Sequence, residues 1–368
     1  MQSPAWKRCL ALMAAAAVLS VACSGAASTS APATAEASAA PPASSAPSEA
    51  APSAAPDAAA ARAAICEAGK AEGKLVYWNN FAKPDVIFAA FNAAYPDIVV
   101  DPLTSRPDDF AQTLLTEIAA GRPPTADIMY GELNILKPIF DVGGADETID
   151  WTALGVADEI LTPTGNVVRL QRVAVGIVYN TSSVKPEELP NTWAGLLDQK
   201  WAGQLVVDAR GRPFDQLSLL WGHDQTIAYV NQLLTLKPIV INGGTAGMLA
   251  VAGGQAKIST GGRSESTAEE KSKGAPLEIK YLEVIPTLDA YNLVPTGAPH
   301  PNAAACMVAW LATDGAAAFQ EAEFKTNLTR PTGAPEDATL IEVDSDEKAD
   351  AVKEIGKEIG GLYTGTGS

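Results

Sequence analysis

Apolar positions along this chain follow two alternating rhythms, one with the period of a strand and one with the period of a helix. Lys74-Leu75-Val76-Tyr77-Trp78 reads as a strand, preceded by a short helix around Arg62 to Ala71. From Pro84 to Tyr95 the residues Ile87, Phe88, Phe91 and Tyr95 share one helical face. Ile98 to Leu103 reads as the next strand. A second helix then opens at Pro107, carries Phe110, Leu114, Leu115 and Ile118 as its apolar stripe, and closes at Gly121. Asp127-Ile128-Met129-Tyr130 predicts a third strand, with another helix starting near Glu132. Strands and helices alternating at this spacing call for a mainly parallel sheet covered on both faces, so the fold class is α/β.

The same alternation returns further on, with strands at Gln204 to Asp208, Pro238 to Ile241 and Ala256 to Thr260, and helices between Pro213 and Leu236. Val167 to Tyr179 reads as strands leaving the first unit and Leu277 to Pro295 as strands returning to it. The chain therefore crosses twice between two α/β lobes, and the crossing forms a hinge. The expected boundaries are residues 61–172 for the first part of lobe I, 173–288 for lobe II, and 289–368 for the rest of lobe I. That last part includes a helix from Pro301 and a charged amphipathic helix from Asp346 to Ile359.

The N-terminal region has a different pattern. Lys7 and Arg8 precede an uncharged apolar run from Cys9 to Ala22, shorter than the roughly 20 residues that span a bilayer, so residues 1–22 read as an export signal. The run ends in Leu19-Ser20-Val21-Ala22-Cys23, which resembles the lipobox of bacterial lipoproteins and implies lipid on Cys23. An ordinary secretory signal cut at a nearby alanine is the alternative. From Ser24 to Ala60 the chain holds only small residues and a few acids, so residues 23–60 read as an unfolded tether. As a flexible coil it spans roughly 30–36 Å. A cell-wall spacer or a glycosylated stalk has the same composition.

Charge and cysteine count narrow the partners. Acidic residues outnumber basic ones 43 to 26, a net charge of -17, which argues against nucleic acid and against an anionic lipid surface while leaving room for a local basic cleft. With Cys9 in the signal and Cys23 taken by lipid, Cys66 and Cys306 remain. They are either a disulfide or two small buried hydrophobes.

The segment Val175-Gly176-Ile177-Val178-Tyr179-Asn180-Thr181, continuing through Lys185-Pro186-Glu187-Glu188-Leu189-Pro190-Asn191-Thr192-Trp193 to Leu197-Asp198-Gln199-Lys200-Trp201-Ala202-Gly203, resembles the extracellular solute-binding proteins of ABC importers. Glu72 to Tyr77 and Pro299-His300-Pro301-Asn302-Ala303-Ala304 fit the same resemblance, which is nearest to the family 1 cluster of ferric-iron, aminophosphonate, sugar-phosphate and polyamine binders. It implies a type II periplasmic-binding-protein fold that closes on a ligand between its lobes. It also implies an ABC permease and ATPase as partners, a monomer outside the cytoplasm, and no enzyme activity or cofactor.

Ligands of open α/β sheets bind beyond the carboxyl ends of the strands. The candidates there are Trp78, Asn79 and Asn80 after the first strand, Ser105 and Arg106 after the second, and Tyr130 after the third. In the second lobe they are Arg210 to Arg212, and Thr260, Gly261, Gly262, Arg263 and Ser264, with Tyr291 added from the returning strands. Trp78 is either a stacking platform or the last core residue of its strand. Arg106, Arg210 and Arg263 are each either a solvated charge or part of a grip on carboxylate or phosphate. Thr260 to Ser264 is either an anion-holding strand-to-helix turn or an ordinary one.

The expected solute is therefore a small organic anion: a carboxylate, phosphonate or phosphate ester. A ferric chelate or a polyamine is the alternative, and a ligand-sensing module for a membrane receptor is the alternative class. Ferric binders of the resembled cluster hold metal with adjacent tyrosines, and Ser259-Thr260-Gly261-Gly262-Arg263 has none. His223 and His300 share no ligand spacing, so no metal site is expected. Ser182-Ser183-Val184-Lys185 matches Ser-x-x-Lys without its companion motifs, and no hydrolase elbow or phosphate-binding loop is present.

Overall fold

The computed structural model describes residues 56–162, 166–325 and 328–365. In chain order its elements are α1 (Pro56–Glu72), β1 (Lys74–Asn79), α2 (Pro84–Ala94), β2 (Val99–Thr104), α3 (Pro107–Ala119), β3 (Ile128–Gly131), α4 (Leu133–Phe140) and β4 (Val168–Asn180). The chain continues through β5 (Leu205–Asp208), α5 (Phe214–Trp221), α6 (His223–Thr235), β6 (Ile239–Ile241), α7 (Gly244–Ala252), β7 (Ile258–Arg263) and α8 (Ser264–Ser272). Last come β8 (Leu277–Lys280), β9 (Val284–Leu293), α9 (Pro301–Ala312), α10 (Ala316–Glu323), β10 (Thr339–Ile341) and α11 (Asp346–Thr364). The export signal and Cys23 lie outside the described residues.

The strands join in the order β2-β1-β3-β9-β4-β7-β5-β6, with β10 beside β9 and β8 beside β4. At one end β2, β1 and β3 are parallel; at the other β7, β5 and β6 are parallel. The two long strands between them run antiparallel to each other. β4 pairs with β9 from Val168 to Ala174, then with β7 and β8 from Val175 to Asn180, so its two halves belong to different lobes. Two α/β lobes joined through β4 and β9 make this a type II periplasmic-binding-protein fold. Separate cores confirm the division: Tyr77, Phe91, Trp151 and Met307 pack together in one lobe, and Trp193, Phe214, Leu233 and Ile359 in the other.

Two expectations are corrected. The tether does not extend to Ala60, because residues 56–60 are already helical. Pro56 begins the helix, Asp57 lies in its first turn, and a run of alanines, the best helix formers, follows. Ala58 is buried, so docking here needs no large side chain. The last helix does not belong with lobe I either. Ile355 and Ile359 of α11 are buried with Phe214 and Leu217 of α5, which fixes it to lobe II, and it runs on to Thr364. The pairing left open between Cys66 and Cys306 is a disulfide, with Cα atoms 4.8 Å apart, closing α1 onto α9. Among the described residues no helix is long and apolar enough to cross a membrane.

Candidate ligand-binding cleft

A cavity of about 740 Å³ opens between the lobes. Glu132 reaches it from the turn after β3, Asn134 from the start of α4, and Gln171, Thr287 and Asp289 from the hinge strands. Arg210 and Arg212 reach it from the turn after β5, Asp215 and Gln216 from the start of α5, Arg263 from the end of β7, and Asp350, Lys353 and Lys357 from α11. Five cations and four acids thus line the cavity, and Asp208 and Glu265 pair with Arg210 and Arg263 from behind the lining. The volume falls within the roughly 300–1,000 Å³ of small-molecule sites.

The turn after β5 is shaped by its neighbours. Asp208 at the strand end accepts from Arg210 Nε at 3.0 Å, Arg210 Nη2 at 2.7 Å and the Arg210 backbone N–H at 3.0 Å. Against the cost of burial, these bonds hold its carboxyl below the ordinary range. Gly211 follows with φ of 85°, and a Cβ there would come within 2.9 Å of the Gly356 carbonyl oxygen. Only glycine allows both the conformation and the close passage of α11. Asp215 is buried at the start of α5, 3.8 Å from Arg212 Nε, and accepts from the Gln216 N–H at 2.8 Å. Burial pushes its pKa up to about 6.

Arg263 stands at the junction of β7 and α8, its Nε 2.8 Å from Glu265 Oε1. Tyr130 and Glu132 belong to the other lobe, and burial pushes both of their pKa values up while the Arg263 charge opposes the shift. Glu132 and Arg263 both line the interlobe cavity. Lys325, just after α10, is drawn into the same neighbourhood, and burial pushes its ammonium down.

Behind the cavity the hinge is fastened by a buried ionic network. A bulge between Arg169 and Gln171 brings Arg169 and Arg172, three residues apart, to the same side of β4. Arg172 Nε donates to both oxygens of Asp289 at 3.1 and 3.0 Å, and its Nη2 donates to Glu342 at 2.9 Å. Arg169 Nη2 donates to Glu342 at 3.1 Å and its Nη1 to the Glu159 carbonyl at 2.9 Å. The Tyr291 hydroxyl also donates to Glu342. Against burial, Arg169, that hydroxyl and Arg172 hold Glu342 below its ordinary range, whereas burial pushes Asp289 up against its bond to Arg172.

Of the residues expected at a ligand, Arg210, Arg212 and Arg263 line the cavity, whereas Tyr130 is buried in the lobe I core, its ring 5.7 Å from that of Phe81. The others sit elsewhere. Trp78 is core, 3% exposed and stacked on Phe110 at 4.9 Å. Asn79 is buried and ties the ends of β1 and β2, donating to the Leu103 carbonyl at 3.3 Å and accepting from Thr104 Oγ1 at 3.2 Å. Asn80 is exposed away from the cavity lining. Ser105 donates to Asp109, and Arg106, 77% exposed, pairs with Asp108. Thr260 is buried and donates to the Val206 carbonyl at 3.3 Å. Gly261 and Gly262 are in the strand rather than in a turn, because β7 continues to Arg263. A Cβ on Gly262 would lie 1.9 Å from Val178 Cγ2, so its role is strand packing. Tyr291 serves the hinge network.

Asp215, Lys353 and Lys357 line the cavity without a strand-end position to mark them in the sequence. The two lysines follow helical spacing opposite Ile355 and Ile359, which a helical wheel displays, but the lobe that receives α11 is a tertiary fact. Among the described residues no group of three or more His, Cys, Asp and Glu could hold a metal ion. His300 is tied to Asp127, its Nδ1 2.9 Å from Oδ2.

Two lobes, a double-stranded hinge and a charged cavity between them define a solute-binding protein. A family model described as bacterial extracellular solute-binding protein matches residues 78–318, and the chain belongs to that family, whose members work outside the cytoplasm. Solved structures share the fold at low identity. Iron-bound HitA from Pseudomonas aeruginosa is 17% identical with a TM-score of 0.61, covering 78% of this chain and 99% of its own. The Trichodesmium protein IdiA (FutA), in complex with iron and citrate, is 15% identical with a TM-score of 0.59, covering 80% and 99%. AfuA from Actinobacillus pleuropneumoniae, with fructose-6-phosphate bound, is 17% identical with a TM-score of 0.51, covering 80% and 98%. No curated protein matches the chain.

Proposed function

We propose that this protein is the substrate-binding component of an ABC importer and that it captures a small organic anion, a carboxylate, phosphonate or phosphate ester, by closing its lobes about β4 and β9. One observation carries the anion reading: Arg210, Arg212, Arg263, Lys353 and Lys357 converge on one cavity. Two of the four opposing acids are compromised as cation ligands. Asp289 is engaged by the hinge arginines, and Asp215 is buried with a raised pKa. Guanidinium groups half exposed beside a single acid keep donors free for carboxylate or phosphate. Closure removes that pairing from water and strengthens it. The iron-and-citrate complex of a protein with this fold favours one variant of the reading, a ferric chelate held through its anionic ligand. Lipid on Cys23 would keep the protein beside its permease.

Thermal-shift screening of the purified protein tests the proposal. A ligand at 100 times its Kd adds about 2.7 kcal/mol to stability. Citrate, fructose 6-phosphate, phosphonates or ferric citrate are expected to raise the melting temperature, and a shift with polyamines alone would reverse the sign assigned to the cleft.

A further inference from the structure

The last helix lies beyond the stretch that matches the family model, which ends at residue 318, yet it forms one wall of the cavity. α11 is fixed to lobe II from two sides. Ile355 and Ile359 are buried in its core, and glycines allow intimate contact with the turn after β5. A Cβ on Gly356 would come within 3.2 Å of the Arg210 carbonyl oxygen, and one on Gly360 within 2.8 Å of that of Ala209. This packing directs Lys353 and Lys357, one helical turn apart, into the cavity occupied by Arg210, Arg212 and Arg263.

Both lysines are exposed, and among the described residues neither has an ion pair or hydrogen bond. Lys348 on the same helix, by contrast, is paired with Asp344 at 2.7 Å. Asp350 is the acid that α11 brings to the cavity, and it does not reach them. Two unpaired ammonium groups and three guanidiniums gathered on the lobe II side of the cavity repel one another, and a bound anion relieves that repulsion.

We propose that α11 is a working part of the ligand site: Lys353 and Lys357 form a second cationic wall, so the ligand carries at least two negative charges shared between the arginine side and the lysine side. This rests on the anion reading above. It goes further by naming the valence of the ligand and a specificity-determining element outside the matched family region.

Titration calorimetry with citrate, fructose 6-phosphate, inorganic phosphate and the monoanion lactate tests it on the wild type, the double variant Lys353→Gln/Lys357→Gln, and Arg263→Gln. Deleting α11 would remove the buried Ile355 and Ile359, so point substitutions on its exposed face are the suitable probe. The double variant is expected to keep the wild-type melting temperature while its affinity for the multivalent anion falls about ten-fold, the loss of two exposed pairings. Lactate binding should fall less, and the salt dependence of citrate binding should become shallower. If Arg263→Gln weakens citrate and the lysine variant does not, α11 has no part in the site although the cleft still binds anions. Equal losses for citrate and lactate would overturn the two-wall division. A wild-type protein that binds none of the four anions would overturn both the inference and the reading beneath it.

Discussion

At the hinge, Arg169 and Arg172 are 8% and 7% exposed and are wrapped by Asp289, Glu342 and backbone carbonyls. Around the cavity, Arg210, Arg212 and Arg263 are 52%, 49% and 41% exposed, each with one acid beside it. The chemistry of the side chain is identical and its setting is opposite. A guanidinium in mid-strand must have its donors satisfied by the protein, because burying it otherwise costs several kcal/mol. One at a strand end, facing a water-filled cleft, keeps donors for a solute. Neighbourhood, rather than residue type, separates the arginines that hold the lobes together from those placed to hold a ligand.

The largest expected effect comes from breaking the hinge set. Arg172→Ala leaves Asp289 and Glu342 buried and short of a partner, and should cost about 3–5 kcal/mol in urea unfolding. A loss below about 1 kcal/mol would mean that the network is not structural. Next, Arg263→Gln should lower anion affinity by ten- to a hundred-fold, the roughly 1.5–3 kcal/mol of a charge-assisted hydrogen bond, with stability changed by less than about 1 kcal/mol. A protein destabilised as much as Arg172→Ala would erase the distinction between the two sets.

A smaller effect appears in the pH dependence. Asp215 titrates near 6 in the folded protein, against an ordinary 3.8. Because the folded pKa is raised, the folded state takes up this proton first. Its contribution to stability therefore grows as pH falls through 6 and levels off below 3.8. Between pH 7 and pH 5 the wild type should gain about 1 kcal/mol that Asp215→Asn does not. Glu342 acts in the opposite sense, since its lowered pKa gives stability that is lost at still lower pH. Equal slopes for the two proteins would show that Asp215 is not buried as described. The smallest effect is expected at Arg106, the solvated strand-end arginine: Arg106→Ala should change stability and affinity by no more than about 0.5 kcal/mol.

The alternation of strand and helix was readable because each element shows its own period, and the hinge strands were readable because Val167 to Tyr179 and Leu277 to Pro295 are apolar runs separated by a whole second lobe. The site was legible only in part. Arg210 and Arg263 follow from the rule that ligands gather at strand ends, but Arg106 obeys the same rule and points to solvent. Trp78 shows why: Phe110, reached by chain folding, covers the ring. Gly261 and Gly262 imitate a ligand-holding turn, and only the 1.9 Å approach of a Cβ on Gly262 to Val178 reveals that residue's packing role. The destination of α11, and with it Lys353 and Lys357, depends on Ile355 and Ile359 finding Phe214, a pairing that no local pattern encodes. The paired Cys66 and Cys306 are 240 residues apart for the same reason.

The central claim, that the cleft between the lobes receives an anion, is tested most directly by a crystal structure of the protein grown with citrate. The account expects carboxylate oxygens within hydrogen-bonding distance of Arg263 and of Arg210 or Arg212, with the lobes closed about β4 and β9. Citrate found only outside the cleft, or a cation seated between Glu132 and Asp215, would contradict it.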